Sequence, residues 1–174
     1  MATNDTALVH PIAGTAIAAE LVQLGITHVI IVPDTHQRTL INAIADRGEP
    51  EMVRVATEDE AMAISAGLYM AGKRPMLLVQ NTGFFASLNT LRAIAMEAQV
   101  PTMMFVGEFG RDITKPNSES ATPRVRVIEP TLDLWAVPYY RVDAPGDLPT
   151  IALALNQSYE QRGPVIVLIG APTS

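Results

Sequence analysis

Apolar positions along this chain alternate between two rhythms. Ile12 to Leu24 spaces its apolar residues as an amphipathic helix, and Gly25 stops it. His28 to Val32 is a β-branched run of the kind that forms a buried strand. Pro33-Asp34-Thr35 then marks a turn and a helix start, and Leu40, Ile41, Ile44 and Ala45 supply that helix's apolar face. Met52 to Val55 predicts a second strand, followed by an Ala-rich helix from Asp59 to about Met70 that Gly72-Lys73-Arg74-Pro75 ends. Met76 to Gln80 predicts a third strand, with Asn81-Thr82-Gly83 turning into a helix that runs to about Ala98. Thr102 to Val106, Tyr140 to Val142 and Val165 to Ile169 complete six strands, with a helix from Asp147 to Gln161 before the last. Strands alternating with helices imply a doubly wound α/β fold: a six-stranded, mainly parallel sheet with helices on both faces, in one domain over residues 1–174.

Composition narrows the classes. The 174 residues suffice for one α/β domain with a core. Apolar residues make up 48% and aromatics 5%, so that core is aliphatic. A net charge of −6 with no basic stripe argues against nucleic acid as a partner. The absence of cysteine excludes disulfides, thiol catalysis and thiolate metal sites. Met1 to Pro11 has no signal-like apolar core, and no run matches a membrane helix, which points to a soluble cytoplasmic protein.

Gly107 to Pro130 breaks the alternation. It is rich in Gly, Pro, Ser and Thr, and it carries Arg111, Lys115, Arg124 and Arg126. A structureless connection of that length at the ligand side of a sheet is either a solvated loop or an active-site lid or subunit contact, ordering when the site fills.

Common site motifs are missing: no Walker-type loop, no Gly-x-Gly-x-x-Gly after a strand, no zinc spacing among His10, His28 and His36, and no nucleophile elbow at Ser65 or Ser87. Three strand ends remain: Pro33-Asp34-Thr35-His36, Thr57-Glu58, and Gln80 to Phe85. Each carries polar side chains before a helix N-terminus, at the sheet edge where α/β proteins bind ligands. Singly, Asp34, Thr35 and Thr82 read as helix caps; together, at successive strand ends, they read as a site.

Four segments in order carry a resemblance: Val32-Pro33-Asp34-Thr35, then Arg54-Val-Ala-Thr-Glu58 running on to Gly67-Leu-Tyr69, then Gln80-Asn81-Thr82-Gly83, then Pro101 to Glu108. Together they resemble the pyrimidine-binding domain of thiamine-diphosphate-dependent decarboxylases. The likeness is strongest to sulfopyruvate decarboxylase α subunits and the matching half of phosphonopyruvate decarboxylases, and it spans about Ile12 to Ile169. The resemblance implies that Glu58 is catalytic. Its carboxyl would hold the aminopyrimidine ring nitrogen N1′ and so promote removal of the thiazolium C2 proton, after which the carbanion attacks a 2-oxo acid and carbon dioxide leaves. Such a carboxyl should be buried. Asp59 and Glu60 read as first-turn acids favouring the helix dipole.

The same resemblance makes Pro33, Thr35, Asn81, Thr82 and Gly83 cofactor-binding candidates beside Glu58. It makes Asp34, Phe84, Phe85 and Arg111 candidates for the substrate pocket. Phe84-Phe85 replaces a smaller pair in the relatives, giving either a bulkier wall or plain packing. His36 stands where relatives are aliphatic; it is either a proton shuttle or carboxylate ligand, or a surface histidine. The diphosphate and Mg²⁺ motif, Gly-Asp-Gly followed by paired asparagines, is not matched: Gly146-Asp147 leads into Leu148, and Asn156 stands alone. No metal ligands are therefore assigned to this chain. The resemblance then implies an α subunit that shares thiamine diphosphate with a separate β subunit, the latter holding most of the Mg²⁺, with the Ala-rich helix against another subunit. The activity implied is decarboxylation of a small anionic 2-oxo acid, 3-sulfopyruvate first. An acetolactate-synthase-like carboligase, a phosphonopyruvate decarboxylase-type enzyme, and a non-catalytic nucleotide-binding module remain open.

Overall fold

The computed structural model describes residues 12–174 and contains a single six-stranded sheet. Its strands are β1 (His28–Ile31), β2 (Glu51–Arg54), β3 (Pro75–Gln80), β4 (Thr102–Gly107), β5 (Tyr139–Val142) and β6 (Pro164–Ile169). Their order across the sheet is β2-β1-β3-β4-β6-β5, and every pairing is parallel. The sheet is thus wholly, not mainly, parallel. The central strands β3, β4 and β6 are buried on both faces, which explains their unbroken apolar runs.

Side chains alternate between two cores. Val29, Ile31, Leu78, Phe105, Val167 and Ile169 face helices α1 (Gly14–Gln23), α2 (Arg38–Arg47) and α8 (Pro149–Gln161). On the other face, Ile30, Leu77, Val79, Met104, Val106 and Leu168 meet α3 (Glu58–Met70), α4 (Asn81–Ala86), a π-helical segment Leu91–Glu97 and α7 (Ile128–Leu134). Glycine is required where α1 crosses α2, because a Cβ on Gly14 would strike the backbone of Thr39 and Leu40. No helix among the described residues is long and apolar enough to cross a membrane.

Three expectations need correction. The helix expected from Asn81 to Ala98 is broken into α4, the short α5 (Leu88–Thr90) and the π-helical segment. Ser87 lies at the break, where its hydroxyl donates to the Phe84 carbonyl at 3.1 Å and competes with the helical ladder. The connection Gly107 to Pro130 is not structureless: it holds a 3₁₀ turn at Asn117–Glu119, α6 (Pro123–Arg126) and the start of α7. Pro130 does not end that connection; it sits in the first turn of α7, where its missing N–H leaves no bond unmade. Finally, α2 begins at Arg38 and not at the Pro33-Asp34-Thr35 turn.

Candidate functional site

Strand order places the site. The chain leaves β1 for β2 on one side and returns to β3 on the other, so the carboxyl ends of β1 and β3 flank a reversal point, the usual ligand crevice of an open parallel sheet. The segments leaving these two strands are tied together by Asp34. This carboxylate is 3% exposed. It accepts from the His36 backbone N–H at 2.8 Å, Gln37 Nε2 at 2.9 Å and Gln80 Nε2 at 2.9 Å. Gln37 Nε2 also reaches the Val79 carbonyl at 3.1 Å. The absence of a side chain on Gly107 makes room for Asp34 Oδ2. Asp34 is therefore the fastening of the β1 loop, and Thr35 next to it is left exposed.

His36 is buried, which sets aside its reading as a surface histidine. Its Nε2 lies 2.9 Å from the Ile169 carbonyl, so the ring spans to β6. Burial holds the imidazole below its ordinary value of 6.5, against the opposing pull of the Asp34 carboxylate. A neutral ring is thus favoured in the folded state, while the unfolded chain takes up the proton first. Stability from this group is complete above about pH 6.5 and declines as pH falls from there towards the folded-state value. Thermal melts from pH 7.5 to 5 should show that slope in the parent chain and a flatter one in His36→Gln; parallel slopes would contradict it.

Glu58 opens α3. Thr57 caps the helix, its hydroxyl accepting from the Glu60 N–H at 3.2 Å, and Glu60 Oε2 accepts from the Ala56 N–H at 2.9 Å. Thr57-x-x-Glu60 is thus close to a capping box, a signal present in the sequence, and Glu60 does more than favour the helix dipole. With Glu60 engaged, the Glu58 carboxyl is left free. It makes no hydrogen bond or ion pair among the described residues. It lies over Gly83, where a Cβ would run into Oε1 and Cδ. The side chain therefore reaches across from the end of the β2 edge to the start of α4. Glu58 is half-buried, not buried as expected of an activating carboxyl.

Near it, Asn81 is fully buried and donates from Nδ2 to the Phe109 carbonyl at 3.2 Å, while its Oδ1 has no partner among the described residues. Thr82 is exposed. Phe84 is fully buried and belongs to the core, so only Phe85, half-buried against it edge-to-face at 5.3 Å, is left to line a pocket.

Arg111 lies elsewhere, at the carboxyl ends of β4, β6 and β5. Its guanidinium contacts Glu108 at 2.9 Å and Asp143 at 2.7 and 3.0 Å. Arg141 bonds the same Glu108 oxygen at 2.9 and 3.1 Å, and Asn117 Nδ2 donates to the other at 2.6 Å. Burial pushes the Glu108 carboxyl up, opposed by both arginines and Asn117. Arg111, with a 7% exposed side chain, is consumed by this network and is not presented to a ligand. The network also anchors the long connection through Asn117.

The structure thus puts the Glu58 carboxyl against Gly83 and ties Asp34 to Gln80 at the strand end that leads there, lines a neighbouring concavity with Pro33, Asp34 and Thr35, and engages Phe84, Arg111 and the ring of His36 elsewhere. Gln37 and Gln80, which fasten Asp34, were given no site role, although Gln80 lies in the third strand end; Gln80 closes β3 and Gln37 follows β1 by six residues, and a single polar amide in such places is a weak signal. Gln37 is fully buried and its Oε1 has no partner among the described residues.

Residues 12–127 match the family described as thiamine pyrophosphate enzyme, N-terminal TPP binding domain. The chain is similar to the sulfopyruvate decarboxylase subunit alpha of Methanocaldococcus jannaschii, 29% identical over 157 residues that cover 90% of this chain and 92% of that one. It is also similar to the sulfopyruvate decarboxylase of Methanosarcina acetivorans, 24% identical over 84% of this chain but only 37% of the longer relative. Among solved structures, benzoylformate decarboxylase from Polynucleobacter necessarius shares the fold with a TM-score of 0.67 at 18% identity, covering 90% of this chain and 29% of that one.

Proposed function

We propose, from the premise that this chain belongs to the thiamine pyrophosphate enzyme family as its N-terminal, cofactor-binding domain, that it is the α subunit of a two-subunit decarboxylase converting 3-sulfopyruvate to sulfoacetaldehyde and carbon dioxide. The observation that carries this reading is the free Glu58 carboxyl lying over Gly83 at the reversal point of the sheet. Near full-length likeness to a sulfopyruvate decarboxylase subunit alpha supports the substrate.

The residues present fit one part of the cofactor. The aminopyrimidine ring nitrogen needs a carboxyl, and Glu58, held over Gly83 with no hydrogen bond or ion pair among the described residues, is the group that would meet it. When bound, the cofactor supplies the electron sink that makes loss of carbon dioxide from a 2-oxo acid feasible. Glu58 would hold the ring nitrogen through a hydrogen bond at its carboxyl oxygen. Gly83 sets the position of that carboxyl, and Asp34 with its amide donors fixes the β1 loop that presents Thr35. The diphosphate and Mg²⁺ are assigned to a β subunit, because the Gly-Asp-Gly motif is not matched here; the longer Methanosarcina relative is consistent with two parts that can be joined. Cover for Glu58 is assigned to another subunit packed on α3, whose outer positions Ala63 and Gly67 are exposed and small.

Carbon dioxide release by α plus β with cofactor and Mg²⁺, over a panel of 3-sulfopyruvate, phosphonopyruvate and pyruvate, tests the reading. Turnover of 3-sulfopyruvate by the pair and by neither chain alone is expected. Joining of two substrates in place of aldehyde release would replace it with the carboligase reading. Gly83→Ala adds a directed check. The new methyl displaces the flexible end of Glu58 and not backbone, so the fold is expected to persist while turnover falls roughly 10²-fold, the usual effect of a misplacement of about 1 Å. Unchanged kcat in Gly83→Ala would remove the assigned role of this contact.

A further inference from the structure

A 2-oxo acid bearing a second acidic group needs a receptor for that group, and most cations near the carboxyl edge are already engaged. Arg111 and Arg141 are held by Glu108 and Asp143. Lys115 faces Asp112 at 3.6 Å. Arg124 stacks over Phe109 and donates to its carbonyl at 3.1 Å, and Arg126 donates to the Ser120 carbonyl at 2.6 Å. Arg38 and Arg54 differ. Among the described residues neither has a carboxylate within ion-pair distance, and both are exposed. They line the same concavity, about 240 Å³ in volume, together with Thr35 and Asn42. Arg38 opens α2 and Arg54 ends β2, so strand order, not sequence proximity, makes them neighbours.

Asp34 borders this concavity, but it is 3% exposed and its oxygens are taken by His36 N–H, Gln37 and Gln80. Two guanidiniums with no carboxylate partner among the described residues, against one satisfied carboxylate, leave the pocket positive in a chain of net charge −6. Guanidinium forks match the oxygens of a tetrahedral anion, and the Thr35 hydroxyl and Asn42 amide add donors of the same kind. Thr35 follows Asp34, which is bonded to Gln80 at the strand end leading to Gly83, and Arg54 ends the strand that hands over to Glu58, so the pocket is linked to the proposed site from both sides.

We propose that Arg38 and Arg54 bind the second, tetrahedral anionic group of a two-anion 2-oxo acid and are the residues that select such a substrate over pyruvate. This rests on the decarboxylase reading, so its test has an arm independent of turnover. The intact α chain is titrated with sulfoacetate, phosphonoacetate and acetate while backbone amide shifts are followed. Saturable shifts at Thr35 and Asn42 are expected with one or both tetrahedral anions and not with acetate, and the stronger of the two identifies the anion. Arg38→Gln and Arg54→Gln, both at exposed positions, should each abolish or greatly weaken those shifts. In the assembled α–β enzyme each should raise KM for 3-sulfopyruvate about 10–100-fold, with kcat and the kinetics of pyruvate little changed. Sulfoacetate binding that persists unchanged in both variants overturns the proposal. Loss of α–β assembly in sedimentation with anion binding intact also overturns it, by assigning the arginines to the subunit contact. If the assembled enzyme turns over no 2-oxo acid, the decarboxylase reading fails, and the titration still decides whether the pocket binds a tetrahedral anion.

Discussion

Glu58→Gln is expected to lower turnover of the assembled enzyme by about 10²–10⁴-fold while leaving folding and assembly intact, the range typical for loss of a general acid or base. The amide keeps the size of the side chain and its position over Gly83, but it cannot share an acidic proton with a ring nitrogen. Stability should be nearly unchanged, because the carboxyl makes no hydrogen bond or ion pair among the described residues and α3 is capped by Thr57 and Glu60 instead. Asp59→Asn is the control. Asp59 is exposed and accepts from the Thr90 hydroxyl, which an amide oxygen can also do. Carbon dioxide release by both variants, with circular dichroism and sedimentation alongside, decides the matter. Wild-type turnover in Glu58→Gln would end the proposed mechanism.

The largest effect on stability is expected from Glu108→Ala. Glu108 is fully buried and accepts from Arg111, Arg141 and Asn117. Its removal leaves the Arg111 guanidinium, 7% exposed, with only Asp143, and Arg141 with Glu129 at 3.5 Å and Asp143 at 4.0 Å. Breaking a buried pair from one side costs about 3–5 kcal/mol, and the remaining partners place this case near the lower end. At roughly 2–4 °C per kcal/mol for a chain of this size, the midpoint should fall by about 6–12 °C. Glu129→Ala removes a more exposed partner and should cost less than about 1 kcal/mol. Equal melting points for the two variants would show that Glu108 does not hold this network together. Because Asn117 hangs from Glu108, Glu108→Ala should also raise amide exchange across residues 111–126.

Much of this architecture was legible in local pattern. Strands β1, β3, β4 and β6 appear as apolar runs between polar turns because strands covered on both faces need no alternation. Glu58 was legible as the carboxylate between a strand and an Ala-rich helix. The breaks in legibility have local causes too. Ser87 diverts a helix that composition alone continues, and Pro130 resembles a stop until its place in a first turn is known. Thr57-x-x-Glu60 was present as a capping pattern, yet a first-turn acid satisfies the dipole reading equally well.

Other features arise only when distant segments meet. Gly83 is one more turn glycine until the Glu58 side chain is seen to occupy the space a Cβ would take. Arg111 reads as a loop cation until β4, β6 and β5 gather Glu108, Arg141 and Asp143 around it. His36 reads either as a proton shuttle or carboxylate ligand or as a surface residue of the second helix, which in fact starts at Arg38, and its ring is buried against β6. The division has a physical basis. Periodicity, capping and turn chemistry act over a few residues, so they define the elements and the position of Glu58 along the chain. The order β2-β1-β3-β4-β6-β5 is set by which apolar faces bury one another, and it determines which carboxylates neutralise which arginines and, among the described residues, leaves Arg38 and Arg54 without one.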